Sequence, residues 1–176
     1  KFDATFNPDN FSTEQIVTTV REAGIVGMGG AGFPTNVKLK ANPSSPIHTV
    51  IINGCECEPC ITCDYRMMLQ WTNQILAGAI LAAKSLNAKN LYIGIEDNKP
   101  QAVEAFKKAI AKMPAAKDIQ VAAVKTKYPQ GGEKQLIKSI LGIDVPAGGI
   151  PPMVGVLVSN VATVSAIAEA VLFDNP

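Results

Sequence analysis

The sequence predicts an α/β fold, a mostly parallel sheet with helices on both faces. Three observations point to it. Strand-like and helix-like segments alternate strictly from residue 49 to residue 173, and that alternation builds parallel strands joined by crossover helices. The first strand-like run, TVII (Thr49–Ile52), is short and apolar enough to be a buried strand. The polar and glycine-rich words fall where strands end and helices begin, and ligands bind at those strand ends in open α/β sheets.

Each element has its own signal. Ser12 and Gln15 make a capping-box pattern, Ile16, Val17 and Val20 an apolar face, and Gly24 a C-terminal cap for the first helix. The glycine-rich segment GIVGMGGAGFPT (Gly24–Thr35) follows. After TVII, residues Arg66–Leu86 read as one long helix, NLYIGI (Asn90–Ile95) as a strand, and Pro100–Met113 as a helix with proline in its first turn. Ile119–Thr126 is a strand and Glu133–Leu141 a helix. The proline- and glycine-rich Asp144–Met153 is a long ordered loop. Val154–Asn160 is the last strand and Val161–Phe173 the last helix. No internal repeat or low-complexity tract interrupts the order.

Composition narrows the function. At 176 residues, 47% hydrophobic and 18% charged, the chain can bury a globular core. A net charge of +1 with scattered lysines argues against nucleic-acid binding through a basic footprint. The longest apolar run, Ile75–Ala83, has nine residues, against the roughly twenty that a bilayer-spanning helix needs. The opening KFDATFNPDN lacks an apolar signal core and a starting methionine, so residues 1–176 are expected to be a single domain cut from a longer cytoplasmic chain. All four cysteines lie between Cys55 and Cys63; disulfides staple distant segments, so a reducing compartment is expected.

Four words follow the strands: NGCECEP (Asn53–Pro59), EDN (Glu96–Asn98), KYPQGGE (Lys127–Glu133) and SNVAT (Ser159–Thr163). Backbone N–H groups at the helix starts would converge there, an arrangement suited to a phosphate. Loops of this kind also carry Gly, Asn and Ser simply as turn and cap residues. The glycine segment contains a literal G-x-G-x-x-G at Gly27, Gly29 and Gly32, but a helix precedes it, Pro34 follows it, and the next acid is Glu56. It is therefore not an ordinary dinucleotide fingerprint. Its glycines still let a ligand approach the backbone closely.

CECEPCITCD (Cys55–Asp64) invites a metal reading. Cys57, Cys60 and Cys63 copy the first three ligands of a bacterial ferredoxin run, yet no cysteine follows Cys63. Glu56 and Glu58 thread negative charge between the thiols, and a zinc site would normally collect ligand pairs from separate segments. The expectation is no metal, with a thiol–metal site as the alternative.

GMGGAGFPTNVKLK, NGCECEPCITCD, YPQGGEKQLI and IDVPAGGIPPMVGVLVSNVAT, in this order, resemble the C subunit of the Rnf ion-translocating electron-transport complex; residues 25–163 carry these motifs. More distantly the chain is similar to the flavoprotein subunit of NADH:quinone oxidoreductase and to the cobalamin reductase of propanediol-using microcompartments. The resemblance implies a Rossmann-like domain of the flavoprotein-subunit type that binds FMN and takes hydride from NADH. It implies FMN contacts at Gly27, Gly29, Gly30, Asn53, Cys55, Glu56, Tyr128, Gly131, Gly132, Asn160 and Thr163. It implies NADH contacts at Phe33, Lys38, Glu58 and Glu133. Two departures stand out: the relative's flavin-facing Asp is Cys55 here, and the first Glu of its glutamate pair is Gly132. The resemblance further implies 4Fe–4S clusters outside this stretch, other subunits of a membrane complex as partners, and a peripheral position on the cytoplasmic side of the cell membrane. No catalytic side chain is required, because hydride passes directly between stacked rings. A cobalamin reductase-type module and a cofactor-free docking module are the alternative functions.

Other residues read as structural. His48 is a strand-edge or capping residue, Met67, Met68 and Trp71 are core, Lys107, Lys108 and Lys112 form a solvated face, and Asp64 caps the long helix. Tyr128 divides evenly between turn packing and ligand contact.

Overall fold

The computed structural model describes residues 6–175; the opening stretch 1–5 lies outside them. The predicted α/β architecture is present, a four-stranded parallel sheet in the order β3-β2-β1-β4. In chain order the elements are α1 (Thr13–Glu22), α2 (Thr35–Lys38), β1 (Thr49–Asn53), α3 (Cys63–Gln70), α4 (Thr72–Ser85), β2 (Asn90–Glu96), α5 (Pro100–Ile110), β3 (Gln120–Val124), α6 (Glu133–Leu141), β4 (Val156–Asn160) and α7 (Val161–Phe173).

Alternation along the strands assigns the two faces. Val50 and Ile52 of β1, with Ile93, Ile95 and Leu157, pack under α1, α4, α5 and α7, where Ile16, Leu76, Phe106, Val164 and Ile167 are buried. Ile51, Val156 and Val158 point the other way and meet Leu136 and Ile137 of α6. Each such fully buried large side chain contributes about 1.5–3 kcal/mol relative to exposure. Helices α4 and α7 approach so closely that a Cβ on Gly78 would overlap the Val164 carbonyl.

The capping box of α1 forms as read: Ser12 Oγ accepts the Gln15 N–H at 3.1 Å and Gln15 Oε1 accepts the Ser12 N–H at 2.8 Å. Gly24 follows the helix in a left-handed conformation, φ +65°. His48 sits at the strand edge, its N–H donating to Gly155 O at 2.9 Å and its ring beside Thr49 Oγ1 at 3.0 Å.

Several expectations need correction. The helix read over Arg66–Leu86 is two helices that break at Trp71 (φ −121°, ψ 31°). Neither Gly nor Pro marks the break. The Thr72 hydroxyl donates to the Met68 carbonyl at 2.5 Å, and a side chain bonding back to the preceding turn bends a helix. Trp71 is in consequence 48% exposed rather than core, while Met68 is fully buried. Because α3 starts at Cys63, Asp64 lies inside its first turn and caps nothing; Thr62 holds the N-cap position. The short α2 carries no sequence period long enough to announce it. The loop at Asp144–Met153 runs into a 3-10 turn at Pro151–Val154, so β4 begins at Val156.

Candidate functional site

The crossovers run from β1 outward to β2 and β3, and the chain then returns to place β4 on the other side of β1. The point of reversal between β1 and β4 is where an open α/β sheet opens a crevice. Their last residues, Asn53 and Asn160, are register partners, so the two amides stand side by side at its floor.

Both asparagines are fixed. Asn53 Nδ2 donates to Gly131 O at 2.8 Å, and its Oδ1 accepts the Cys55 N–H at 3.0 Å. Asn160 Oδ1 caps α7 by accepting the Ala162 N–H at 2.8 Å, and its Nδ2 donates to Asp64 Oδ2 at 2.6 Å. The glycine segment folds over them as a narrow loop. Val26 and Pro34 form an antiparallel bridge, Gly27 N–H donates to Phe33 O at 2.8 Å, and Gly30 takes φ +107°. Met28 N–H donates to Thr163 Oγ1 at 2.9 Å, tying the loop to the first turn of α7. An added Cβ on Gly29 would stand 3.3 Å from the Asn160 Cβ, so glycine is what lets the loop lie this close.

A recess of about 90 Å³ lies between loop and sheet edge, walled by Gly27, Gly29, Asn53, Gly131, Asn160 and Thr163, with Phe33, Lys38 and Glu133 at its side. It shares Ala31, Phe33, Lys38, Glu133, Leu157 and Val158 with an adjoining, mostly apolar cavity of about 460 Å³. Lys38 Nζ marks the junction, paired with Glu133 Oε1 at 3.1 Å and donating to Val158 O at 3.2 Å. Thr35 Oγ1, on the recess wall, is buried without a hydrogen-bond partner. An orphaned hydroxyl of this kind is costly unless something else satisfies it.

Nine of the fifteen residues expected to contact ligand therefore meet at one recess. The other six lie off its wall. Tyr128 is 83% exposed, Glu58 and Gly30 are exposed, and Gly132 is the N-cap of α6. Cys55 is buried against α6 with Ile51 and Val124; burial first, then the Glu96 carboxylate, push its thiol up to about 12, so it is a neutral thiol. Glu56 turns inward with its side chain only 2% exposed. Its Oε1 accepts the Asp64 N–H at 2.8 Å, so Glu56 supplies the cap that α3 lacks locally. Burial raises the carboxyls of both Glu56 and Asp64 above their ordinary values.

Lys99 and Glu96 are the pair that residue reading missed. Lys99 Nζ lies 2.6 Å from Glu96 Oε2 and 3.7 Å from Glu56 Oε2, and Glu96 Oε2 also accepts the Glu56 N–H at 3.1 Å. This buried cluster anchors the cysteine loop from beneath. The only signal was positional: EDN ends the second strand at the ligand edge, and Lys99 follows it directly. The four thiols do not converge. Among the described residues, a close set of metal-type ligand atoms contains only Cys63, with Glu56 and Asp64, within 4.8 Å. Cys57 Sγ instead accepts the Gly131 N–H at 2.9 Å, bracing the recess wall.

Residues 20–169 match the family model described as the Nuo51 FMN-binding domain. The chain is 47% identical over 165 residues to the C subunit of the proton-translocating ferredoxin:NAD(+) oxidoreductase complex of Clostridium ljungdahlii, covering 94% of this chain and 35% of that protein. It is 43% identical over 168 residues to the C subunit of the Na(+)-translocating ferredoxin:NAD(+) oxidoreductase complex of Acetobacterium woodii, covering 96% and 37%. To the C subunit of the ion-translocating oxidoreductase complex of Pseudomonas aeruginosa it is 42% identical over 161 residues, covering 92% and 20%. The chain thus spans between a fifth and little more than a third of these relatives. Among solved structures, an NAD+-reducing [NiFe]-hydrogenase chain in the air-oxidized state superposes with TM-score 0.78 at 27% identity, covering 91% of this chain and 30% of that one.

Proposed function

The chain belongs to the Nuo51 FMN-binding domain family and is a homologue of the C subunits of ion-translocating oxidoreductase complexes; from this premise, that it is a flavin-binding module of electron transport, we propose that it takes hydride from NADH onto FMN. Single electrons then leave for iron–sulfur clusters held outside residues 1–176. The observation that carries this reading is the recess at the β1–β4 reversal, where the glycine loop, two strand-end asparagines and the orphaned Thr35 hydroxyl meet.

The donor set fits a flavin nucleotide. Ligand cavities of small-molecule sites run to roughly 300–1,000 Å³; the recess of about 90 Å³ falls short alone, and the adjoining 460 Å³ brings the pair into that range. FMN, when bound, supplies an acceptor for hydride and a donor of single electrons. Gly27 and Gly29 allow close backbone approach, and Asn53, Gly131, Asn160 and Thr163 offer amide and hydroxyl partners. The N-terminus of α7 and the Lys38 ammonium favour a phosphate. Cys55, Glu56, Gly30, Gly132 and Tyr128 act from behind or beside this wall. For NADH, Phe33 would offer a stacking face to the adenine, with Lys38 and Glu133 beside it at the recess and the exposed Glu58 approaching from the cysteine loop. No side chain has to move a proton in the hydride step.

The same reading attaches the protein to other subunits of a membrane complex, peripherally and on the cytoplasmic side. Among the described residues no helix is long and apolar enough to cross a membrane.

The test is optical. Protein reconstituted with FMN should show flavin absorption that bleaches when NADH is added without oxygen. Flavin uptake without bleaching would sink the NADH step and leave the flavin module standing. No uptake at all would leave only a docking module.

A further inference from the structure

Cys57 is absent from the residues expected to contact ligand, yet its contacts run to the recess wall. Its Sγ accepts the Gly131 N–H at 2.9 Å. Gly131 lines the recess, and Cys57 itself does not. The Gly131 carbonyl in turn accepts Asn53 Nδ2 at 2.8 Å, and Asn53 also lines the recess. Both backbone groups of Gly131 are thus tied to the segment that leaves β1. The flanking N–H groups close local turns, Gln130 to Lys127 O at 2.7 Å and Gly132 to Pro129 O at 2.9 Å. The Gly131 N–H instead leaves its own loop for the sulfur. The fit is close: a Cβ on Gly131 would stand 2.9 Å from Cys57 Sγ and 3.3 Å from Cys55 Cβ. That the recess takes a ligand has its own sign in Thr35, which is 2% exposed with its Oγ1 unpartnered on the same wall.

We propose that Cys57 is a positioning residue for the flavin nucleotide: its sulfur holds Gly131, and with it the Asn53 amide, where the ligand needs them. This rests on the flavin reading above and extends it to a residue that does not touch the ligand. Sulfur is a weak acceptor, but its removal leaves the Gly131 N–H without a partner, and an orphaned donor is costly. Serine at this position keeps an acceptor; alanine does not. The coupling is reciprocal. If the sulfur favours the liganded arrangement of the wall, the ligand holds the sulfur in that arrangement. Bound flavin therefore slows chemistry at the half-buried Cys57 thiol, while Cys60, exposed on the following turn, stays open.

Two measurements on the full-length chain test this, with FMN as the probe. In the first, the Kd for FMN is read from quenching of flavin fluorescence. Cys57→Ala should weaken binding about tenfold, the loss expected when an N–H is left unpaired, and Cys57→Ser should recover most of it. In the second, the wild-type chain is treated with N-ethylmaleimide with and without FMN, and the label is located by fragment mass spectrometry. Saturating FMN should slow labelling of Cys57 by about fivefold or more and leave Cys60 unchanged. This readout does not depend on a variant that folds. An equal Kd in wild type and Cys57→Ala, a Cys57→Ser no better than Cys57→Ala, or labelling of Cys57 indifferent to FMN overturns the proposal. No uptake of FMN by wild type removes the flavin reading and this inference with it; uptake with an indifferent Cys57 removes the inference alone.

Discussion

Lys99 shows how far a single charge reaches in this molecule. Its side chain is 12% exposed and faces Glu96 and Glu56, whose side chains are 3% and 2% exposed. Removing one partner of a buried ion pair leaves uncompensated charge and costs about 3–5 kcal/mol. Lys99→Met should lose stability of that order in urea unfolding, with Lys99→Arg recovering part of it; a loss of less than about 0.5 kcal/mol, the size of an exposed pair, would show that water already screens the cluster. Cys55 makes a prediction about pH. Its folded thiol is pushed up to about 12 from an ordinary 9.0, so the unfolded chain gives up this proton first as pH rises. The contribution is full below pH 9.0 and is lost on the way to about 12. Cys55→Ala should lack this loss, so the stability gap between wild type and variant should narrow as pH rises from 9.0 towards about 12. A constant gap would place the thiol in water. At this scale the sequence was legible where side chains bond locally, as at Ser12 and Gln15. It was not legible for Glu56, read as a ligand contact, because its partners Lys99 and Glu96 come from the neighbouring strand and its loop.

At the scale of elements, the strongest constraint is between α4 and α7. Gly78 has no sequence signal beyond an apolar helix in which alanine would be the better helix former. The Val164 carbonyl occupies the place a methyl would need. Gly78→Ala should therefore destabilise by about 1–3 kcal/mol or more, because the obstacle is backbone and cannot turn aside; a neutral or stabilising result by calorimetry would mean that the helices slide apart freely. Periodicity placed all four strands and most helices within a few residues. It ran through Trp71, because a break made by a threonine hydroxyl leaves the apolar period intact. It also missed α2, whose four residues are fixed by the glycine loop and not by a period of their own.

At the scale of the whole molecule, the recess joins the glycine loop, β1, the loop before α6 and the start of α7, so a bound cofactor ties distant parts of the chain together. Free FMN at a hundredfold excess over its Kd should raise the unfolding free energy by about 2.7 kcal/mol, read as a higher melting temperature in calorimetry. Gly29→Leu should abolish the rise, since even a Cβ there stands 3.3 Å from Asn160; a rise retained in that variant would move the cofactor elsewhere. The sequence by itself determined the alternation of strands and helices, the parallel sheet, and the words that gather at one edge, because these depend on local periodicity and on turn and cap residues. Only the tertiary structure decided that Cys55 and Glu56 face inward while Asn53 and Asn160 face the recess, and that Lys38 closes on Glu133. It also decided that Trp71 comes to the surface. The reason is physical: a strand's period of two assigns faces only once its neighbours are known, and a buried charge takes its direction from partners that lie far along the chain.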